Sequence, residues 1–296
     1  MNFIHLTANT SKKIELTDSE RIEHLLKPRW IGYGHSQKIL GKLEDLLIFP
    51  KQSRMPNLLI VGETNKWKTV LVNRFRDKHP PLDNPNGDAI ILPVLYIQAP
   101  PGPDERGIYN AILNRLFEPY GKSEATDSKR DRVISVLRQL DLGMIMIDEI
   151  QHLLAGPYTK QRTCLNALKY LGNELCVPLV GIGTAEAIRA VQADPQLANR
   201  FSPEILPKWK LDQEYLRLLA SFEKVIPLKK PSNLINRELA ELILNMSGGT
   251  IGEISTLLNM ASIFAIKSKI EQITKQTLEE CGYIGPHLRK QAAARL

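Results

Sequence analysis

The chain is poor in the features that mark several large protein classes. Its three cysteines, Cys164, Cys176 and Cys281, are odd in number and far apart, which excludes a disulfide framework and a paired-cysteine zinc site. The six histidines lack metal-ligand spacing, His152 included, and no Ser-His-Asp or Cys-His arrangement is supported. No apolar run approaches the length of a membrane span, and the N-terminus lacks the charged, apolar and small-residue succession of a signal peptide. With 43% hydrophobic and 24% charged residues, these absences predict a cytoplasmic globular protein without membrane attachment. Its 296 residues suffice for one large domain, or a main domain with a smaller satellite. What the chain has in excess is positive charge. A net charge of +7 and a pI near 9.2 suit a polyanionic partner such as nucleic acid, although many basic proteins bind none.

The most informative stretch is Gly62 to Thr69, GETNKWKT. An apolar run, Asn57 to Val61, leads into it, and apolar periodicity restarts at Val70. The stretch nearly matches the phosphate-cradling pattern G-x-x-x-x-G-K-[ST]. In such a loop the backbone N–H groups turn inward and a helix N-terminus adds positive potential. Gly62, Glu63, Thr64, Asn65, Lys66, Trp67, Lys68, Thr69 and Val70 are the candidate nucleotide-binding residues. Lys68 would reach the β- and γ-phosphates, and the Thr69 hydroxyl would join the shell of Mg²⁺. Trp67 occupies the position of the second glycine. A loop that demands positive φ there would be strained by tryptophan, to the detriment of ATP binding and hydrolysis.

Residues 1–16 read as a flexible arm. Thr17 to Glu20 has capping-box spacing and opens a helix through Leu26; a second amphipathic helix spans Ser36 to Phe49. Downstream, strands are expected at Pro93–Ala99, Met144–Glu149, Pro178–Ile182 and Glu204–Leu206. Helices are expected between them at 68–78, 104–117, 128–140, 159–175, 185–192 and 195–200. Apolar strands alternating with helices argue a five-stranded parallel sheet covered on both faces, over residues 17–210. From 211 to 285 only helices are indicated (212–222, 233–246, 250–268 and 274–281), a small helical domain. Residues 286–296 form a basic tail carrying Arg289, Lys290 and Arg295.

Asp148-Glu149 closes an apolar strand. Downstream of a phosphate loop, the aspartate would hold Mg²⁺ through water and the glutamate would polarise the attacking water; an acidic helix cap is the plainer alternative. Thr184, after the next buried strand, reads equally as a γ-phosphate sensor or a helix N-cap. Arg200 would reach a neighbouring subunit's nucleotide, or else favour a helix C-terminus in solvent. Trp30, Ile31 and Tyr33 would line an adenine pocket or, more commonly for aromatics, pack. Arg106, Arg115, Lys122, Lys129, Arg130 and Arg132 are candidates for phosphate contacts with DNA, each competing with a simple solvated role.

Several strings taken together resemble the TniB/TnsC family of transposition AAA+ ATPases. They are Arg29–Tyr33, Met55–Gly62, Thr64-Asn65, Ile147–Glu149, Leu171–Leu175, Pro178–Thr184, Asn199–Phe201 and Gly249–Glu253, and the likeness spans roughly residues 20–285. The resemblance implies an AAA+ P-loop NTPase core followed by a helical lid, with ATP and Mg²⁺ as ligands. Lys68 and Thr69 would then take the phosphate and metal roles, Asp148 and Glu149 the Walker B pair, Thr184 the first sensor and Arg200 the finger acting in trans. It further implies ATP-dependent oligomerisation on double-stranded DNA as a filament or ring. The partners would be a DDE transposase of the TniA/TnsB type and a TniQ-type targeting protein, CRISPR-associated in some systems. The chain departs from the family at Trp67, and it has no second-sensor arginine between Gly249 and Glu253. A degenerate P-loop adaptor without ATPase activity and an AAA+ ATPase for another task, such as helicase loading, are the alternatives.

Overall fold

The computed structural model describes residues 3–27, 29–63, 67–85, 87–193, 198–206 and 208–294. The chain divides into a sheet unit, Lys38–Thr64 with Leu71–Leu206, and a helical unit drawn from Met1–Gln37, Asn65–Val70 and Pro207–Leu296.

In the sheet unit five strands, β1 (Asn57–Val61), β2 (Val94–Gln98), β3 (Met144–Asp148), β4 (Leu179–Gly183) and β5 (Phe201–Ile205), lie in the order β2-β3-β4-β1-β5. All pairings are parallel. Every residue of β1, β3 and β4 is buried. Successive side chains in a strand face opposite ways, so both faces of the central sheet are covered. One face packs Leu59, Val61, Ile145 and Ile147 against Ile112, Val133, Leu137 and Leu168. The last three sit on helices α6 (Thr126–Gln139) and α7 (Tyr158–Leu175), and Ile112 on α5 (Glu105–Arg115).

The fifth strand begins earlier than the sequence suggests. It runs in register with β1, Asn57 opposite Phe201 and Val61 opposite Ile205, whereas the expected span was Glu204 to Leu206. Pro203 hid it. Proline is tolerated in a strand only at an edge or bulge, and β5 is the edge strand.

The helical unit gathers Leu25, Tyr215, Leu218, Phe222, Ile243, Ile254, Leu257 and Leu258 around a common core. Helix α2 (Asp18–Leu26) starts with the capping box expected at Thr17 and Glu20. Residues 1–16 are not a bare arm. Helix α1 (Ala8–Lys13) forms there, capped by the Thr7 hydroxyl, because Leu6 and Ile14 are buried on either side of it. The basic tail also folds: Pro286–Ala293 is helical, and Arg289 pairs with Glu253 at 2.5 Å. An arginine thus meets the Gly249–Glu253 segment from further along the chain. Arg295 lies outside the described residues, as does the start of the helix expected at 195–200.

The helical unit holds a buried ion pair. Arg21 donates to Glu271 through Nη1 at 2.8 Å and Nη2 at 2.5 Å, and to the Pro227 carbonyl at 2.7 Å. Burial alone would raise the Glu271 carboxyl, but the Arg21 hydrogen bonds and charge outweigh it and hold the carboxyl below its ordinary 4.5. A depressed folded-state value stabilises above the unfolded value and is lost as pH falls through the folded one. Glu271→Gln should therefore lower stability at pH 7 by about 3–5 kcal/mol, the cost of stranding a buried charge. It should also flatten the wild-type loss of melting temperature below about pH 4.5; melting curves from pH 3 to 7 check both.

Candidate functional site

The helical unit carries the residues that follow the loop. Helix α4 (Trp67–Lys78) begins at Trp67 itself, and Trp67 is absent from the residues with positive φ. The strain expected at this position therefore does not arise. Its side chain is buried in the core of the helical unit. Trp30 stacks on it, ring centroids 5.8 Å apart and planes 11° from parallel, and Tyr33 lies 6.1 Å away. Tyr33 meets Trp209 edge-on at 5.0 Å, and Ile31 is buried in the same core. Burial pushes the Tyr33 phenol up to about 12. The aromatics at 30, 33 and 67 thus form packing contacts with one another. Lys68 is buried and Thr69 half-buried in the first turn of α4. Thr64, Asn65 and Lys66 lie outside the described residues.

The sheet unit carries the carboxylates. Parallel strands place the C-terminal ends of β1, β3 and β4 at one edge, where open α/β sheets hold ligands. Gly62 extends the ladder past Val61, its N–H donating to the Gly183 carbonyl at 3.2 Å; Glu63 is exposed. Asp148 is buried at the end of β3. Its Oδ1 accepts the Glu149 N–H at 2.9 Å and its Oδ2 the Tyr96 hydroxyl at 2.5 Å. Burial first, then the Asp148 carboxylate, pushes the Tyr96 phenol well above its usual range, so Tyr96 stays a donor. The Arg76 guanidinium lies 4.8 Å over its ring.

Glu149 adopts left-handed backbone, φ 53° and ψ 38°, heading a 3-10 turn over Ile150–Leu154. Backbone of this kind in a non-glycine residue is uncommon and concentrates at functional sites. From that turn Gln151 Nε2 donates to Glu149 Oε2, and Gln151 Oε1 accepts the Thr184 N–H at 3.2 Å. The Thr184 hydroxyl is buried without a hydrogen-bond partner among the described residues, so it does not cap the following helix, Ala185–Ala193. An orphaned buried hydroxyl costs about 1–3 kcal/mol, and this one sits beside the carboxylates' turn. Gln151 and Tyr96 escaped the reading of the sequence, because nothing in spacing marks either.

Arg200 is elsewhere. It immediately precedes β5, and its carbonyl accepts the Asn57 N–H at 3.1 Å, so it lies at the opposite edge of the sheet from Asp148. A five-residue strand separates the two edges by about 16 Å. Arg200 donates to Asn173 Oδ1 at 3.3 Å and, with Arg54, Phe49 and Met55, lines a groove of about 950 Å³.

The basic candidates separate by environment. Lys129 is buried, donating to Asn110 Oδ1 at 2.7 Å with its ammonium 4.2 Å over the Tyr120 ring; its expected place at a DNA surface is corrected. A lysine stem among apolar neighbours buries readily when its charge finds an acceptor and a ring. Arg130 pairs with Asp127 and Asp131, and Arg132 with Glu124. Arg106 donates to the carbonyls of Lys122 and Glu124. Arg115 and Lys122 are exposed. Among the described residues no single helix is long and apolar enough to cross a membrane.

The family model described as bacterial TniB protein matches residues 21–211. The chain belongs to the TniB family. No curated protein sequence matches it. Among solved structures this TniB-family chain is similar to the Aeropyrum pernix ORC1 protein in complex with DNA, at 16% identity and a TM-score of 0.62, over 88% of this chain and 68% of that one. The A. pernix ORC2 protein, solved as ADPNP-ADP complexes, follows at 15% identity and a TM-score of 0.59, covering 82% of this chain. This chain spans 66% of the ORC2 protein's length. Cdc6p from Pyrobaculum aerophilum is 16% identical, with a TM-score of 0.60, over 90% of this chain and 70% of that one. At such identities the likeness concerns the fold, which is that of an AAA+ P-loop NTPase core with a helical domain.

Because Trp67 is a core residue on helical backbone, Trp67→Gly should not improve the loop. It should lower stability by about 3–5 kcal/mol, the usual cost of emptying a buried tryptophan site, whereas Trp67→Phe should lose less than half of that. Denaturant unfolding of the two variants checks this ranking.

Proposed function

We propose that this protein is an ATPase of the TniB family whose subunits are joined by ATP into a filament or ring on double-stranded DNA. The assembly recruits and activates a DDE transposase of the TniA/TnsB type and links it to a TniQ-type targeting protein. One observation carries the oligomeric part of this reading: Arg200 lies at the opposite sheet edge from Asp148, Glu149 and Thr184. An arginine so placed suits a neighbour's nucleotide better than its own subunit's.

The residues present fit a nucleotide. A helix N-terminus follows the loop and carries Lys68 and Thr69 in its first turn, a suitable arrangement for phosphate. Asp148 of the sheet unit and Thr69 of the helical unit each offer an oxygen, the kind of ligand Mg²⁺ takes. Mg²⁺, when held, would neutralise charge developing on the phosphates. Asp148 keeps its orientation through Tyr96 and the Glu149 N–H, leaving lone pairs for metal-bound water. Glu149 takes the proton of the attacking water, and Thr184 gives its hydroxyl to the γ-phosphate. The alternative of a nucleotide-free adaptor loses its main support, since that reading rested on strain at Trp67.

DNA contact is assigned to Arg115 and Lys122, which are exposed and engage no acidic partner among the described residues. Cations repeated in every subunit track the phosphates of a duplex without reading bases. Replacing both by alanine should weaken binding uniformly across sequences and lower the salt slope by about 0.9 for each phosphate no longer neutralised. Fluorescence anisotropy with duplex DNA at several salt concentrations measures it.

The trans arrangement has a direct test. Glu149→Gln and Arg200→Ala should each abolish steady-state hydrolysis, while a one-to-one mixture should recover about a quarter of the wild-type rate, the share of interfaces with both groups intact. A mixture as inactive as its components would overturn shared sites, and DNA coating that is identical without nucleotide would overturn ATP-driven assembly.

A further inference from the structure

The side-chain amide of Gln151 lies between two groups to which the proposed function gives different tasks. Its Nε2 donates to the Glu149 carboxylate and its Oε1 accepts the Thr184 N–H. Three features show that the bridge is built in. Gln151 stands on the 3-10 turn that Glu149 begins in left-handed backbone, which brings residue 151 back towards residue 149. Residue 183 is glycine, and a Cβ there would come within 2.5 Å of Gln151 Oε1, so the amide occupies space that a side chain would fill. The Thr184 hydroxyl meanwhile stays unpartnered, while the backbone N–H of the same residue is committed to Gln151.

We propose that Gln151 is a positioning residue that couples the γ-phosphate sensor, Thr184, to the water-activating carboxylate, Glu149. An amide presents its oxygen and its NH₂ on opposite sides of one rigid plane. Any displacement of the end of β4 on engagement of the Thr184 hydroxyl therefore turns the NH₂ that holds Glu149. Glu149 is thus aligned when a triphosphate, rather than a diphosphate, is in place. Gln151 itself touches neither water nor phosphate. The inference rests on the ATPase reading for its consequence, but the bridge can be tested without nucleotide.

Two substitutions separate the halves of the bridge. Gln151→Ala removes both hydrogen bonds, whereas Gln151→Glu keeps an acceptor for Thr184 and puts a carboxylate in place of the donor to Glu149. Amide hydrogen exchange on the full-length protein, without nucleotide, should show Thr184 exchanging about tenfold faster in Gln151→Ala and near the wild-type rate in Gln151→Glu. Glu149→Ala should also speed Thr184 exchange, because the amide loses its second anchor. With saturating ATP and DNA, both Gln151 variants should lower kcat by about 10²-fold, the effect of displacing a catalytic group by about 1 Å. Nucleotide affinity and melting temperature should stay close to wild type. Gly183→Ala, which crowds the amide without touching either partner side chain, should reproduce the kcat loss.

Thr184 exchange unaffected by Gln151→Ala, or insensitive to Glu149→Ala, would overturn the coupling, as would a kcat within twofold of wild type in Gln151→Ala. A loss of nucleotide affinity matching the loss of kcat would show a general structural defect instead, and would overturn it too. Wild-type protein that hydrolyses no ATP under any condition would sink the ATPase reading alone; the exchange data would still decide whether Gln151 joins the two groups.

Discussion

Trp67 stacked on Trp30 is the contact on which the rest of the loop region depends. The chain leaves β1 at Gly62, fixed to β4 through the Gly183 carbonyl, and Trp67 is buried in the core of the helical unit. Two opposing effects meet at position 67. A glycine would gain conformational freedom worth about 1 kcal/mol, and only where positive φ is required. A buried tryptophan contributes several times that through its area and its aromatic neighbours. Packing wins, and the backbone confirms it by being helical from that residue on. Lys68 and Thr69 then follow in a first turn anchored by its leading side chain.

The same ordering of magnitudes explains which parts of the fold were legible in the sequence. Strands β1, β3 and β4 are buried on both faces, so their sequences are apolar throughout and their ends could be read closely. Strand β5 is half exposed, carries a proline and was displaced by several residues. Helix α1 has only six residues, too few for periodicity to register, and it depends on Leu6 and Ile14 finding a core that no local pattern reveals. Helix α2 was legible because its signal, the Thr17–Glu20 capping box, is entirely local.

The residues gathered at the carboxyl edge of the sheet were legible where position along the chain marks them and obscure where side-chain reach brings them there. Asp148, Glu149 and Thr184 are marked by standing at the ends of apolar strands. Tyr96 and Gln151 are not: Tyr96 reaches Asp148 across a strand pair, and Gln151 depends on the left-handed turn at Glu149. Lys129 failed for the converse reason. A lysine on an amphipathic helix reads as solvated, yet the Tyr120 ring and the Asn110 amide give its ammonium an interior place.

These hydrogen bonds grade the carboxyl edge of the sheet. Both oxygens of Asp148 are engaged, one oxygen of Glu149 is, and the Thr184 hydroxyl has no partner among the described residues. Groups held by the protein before a ligand arrives need little reorganisation when it does. A buried hydroxyl left unpaired costs stability until something accepts or donates to it. A site arranged in this way responds most strongly to a ligand that reaches the hydroxyl. In the ATPase proposed above, discrimination between triphosphate and diphosphate would therefore begin at the Thr184 hydroxyl and pass to Glu149 through a single amide.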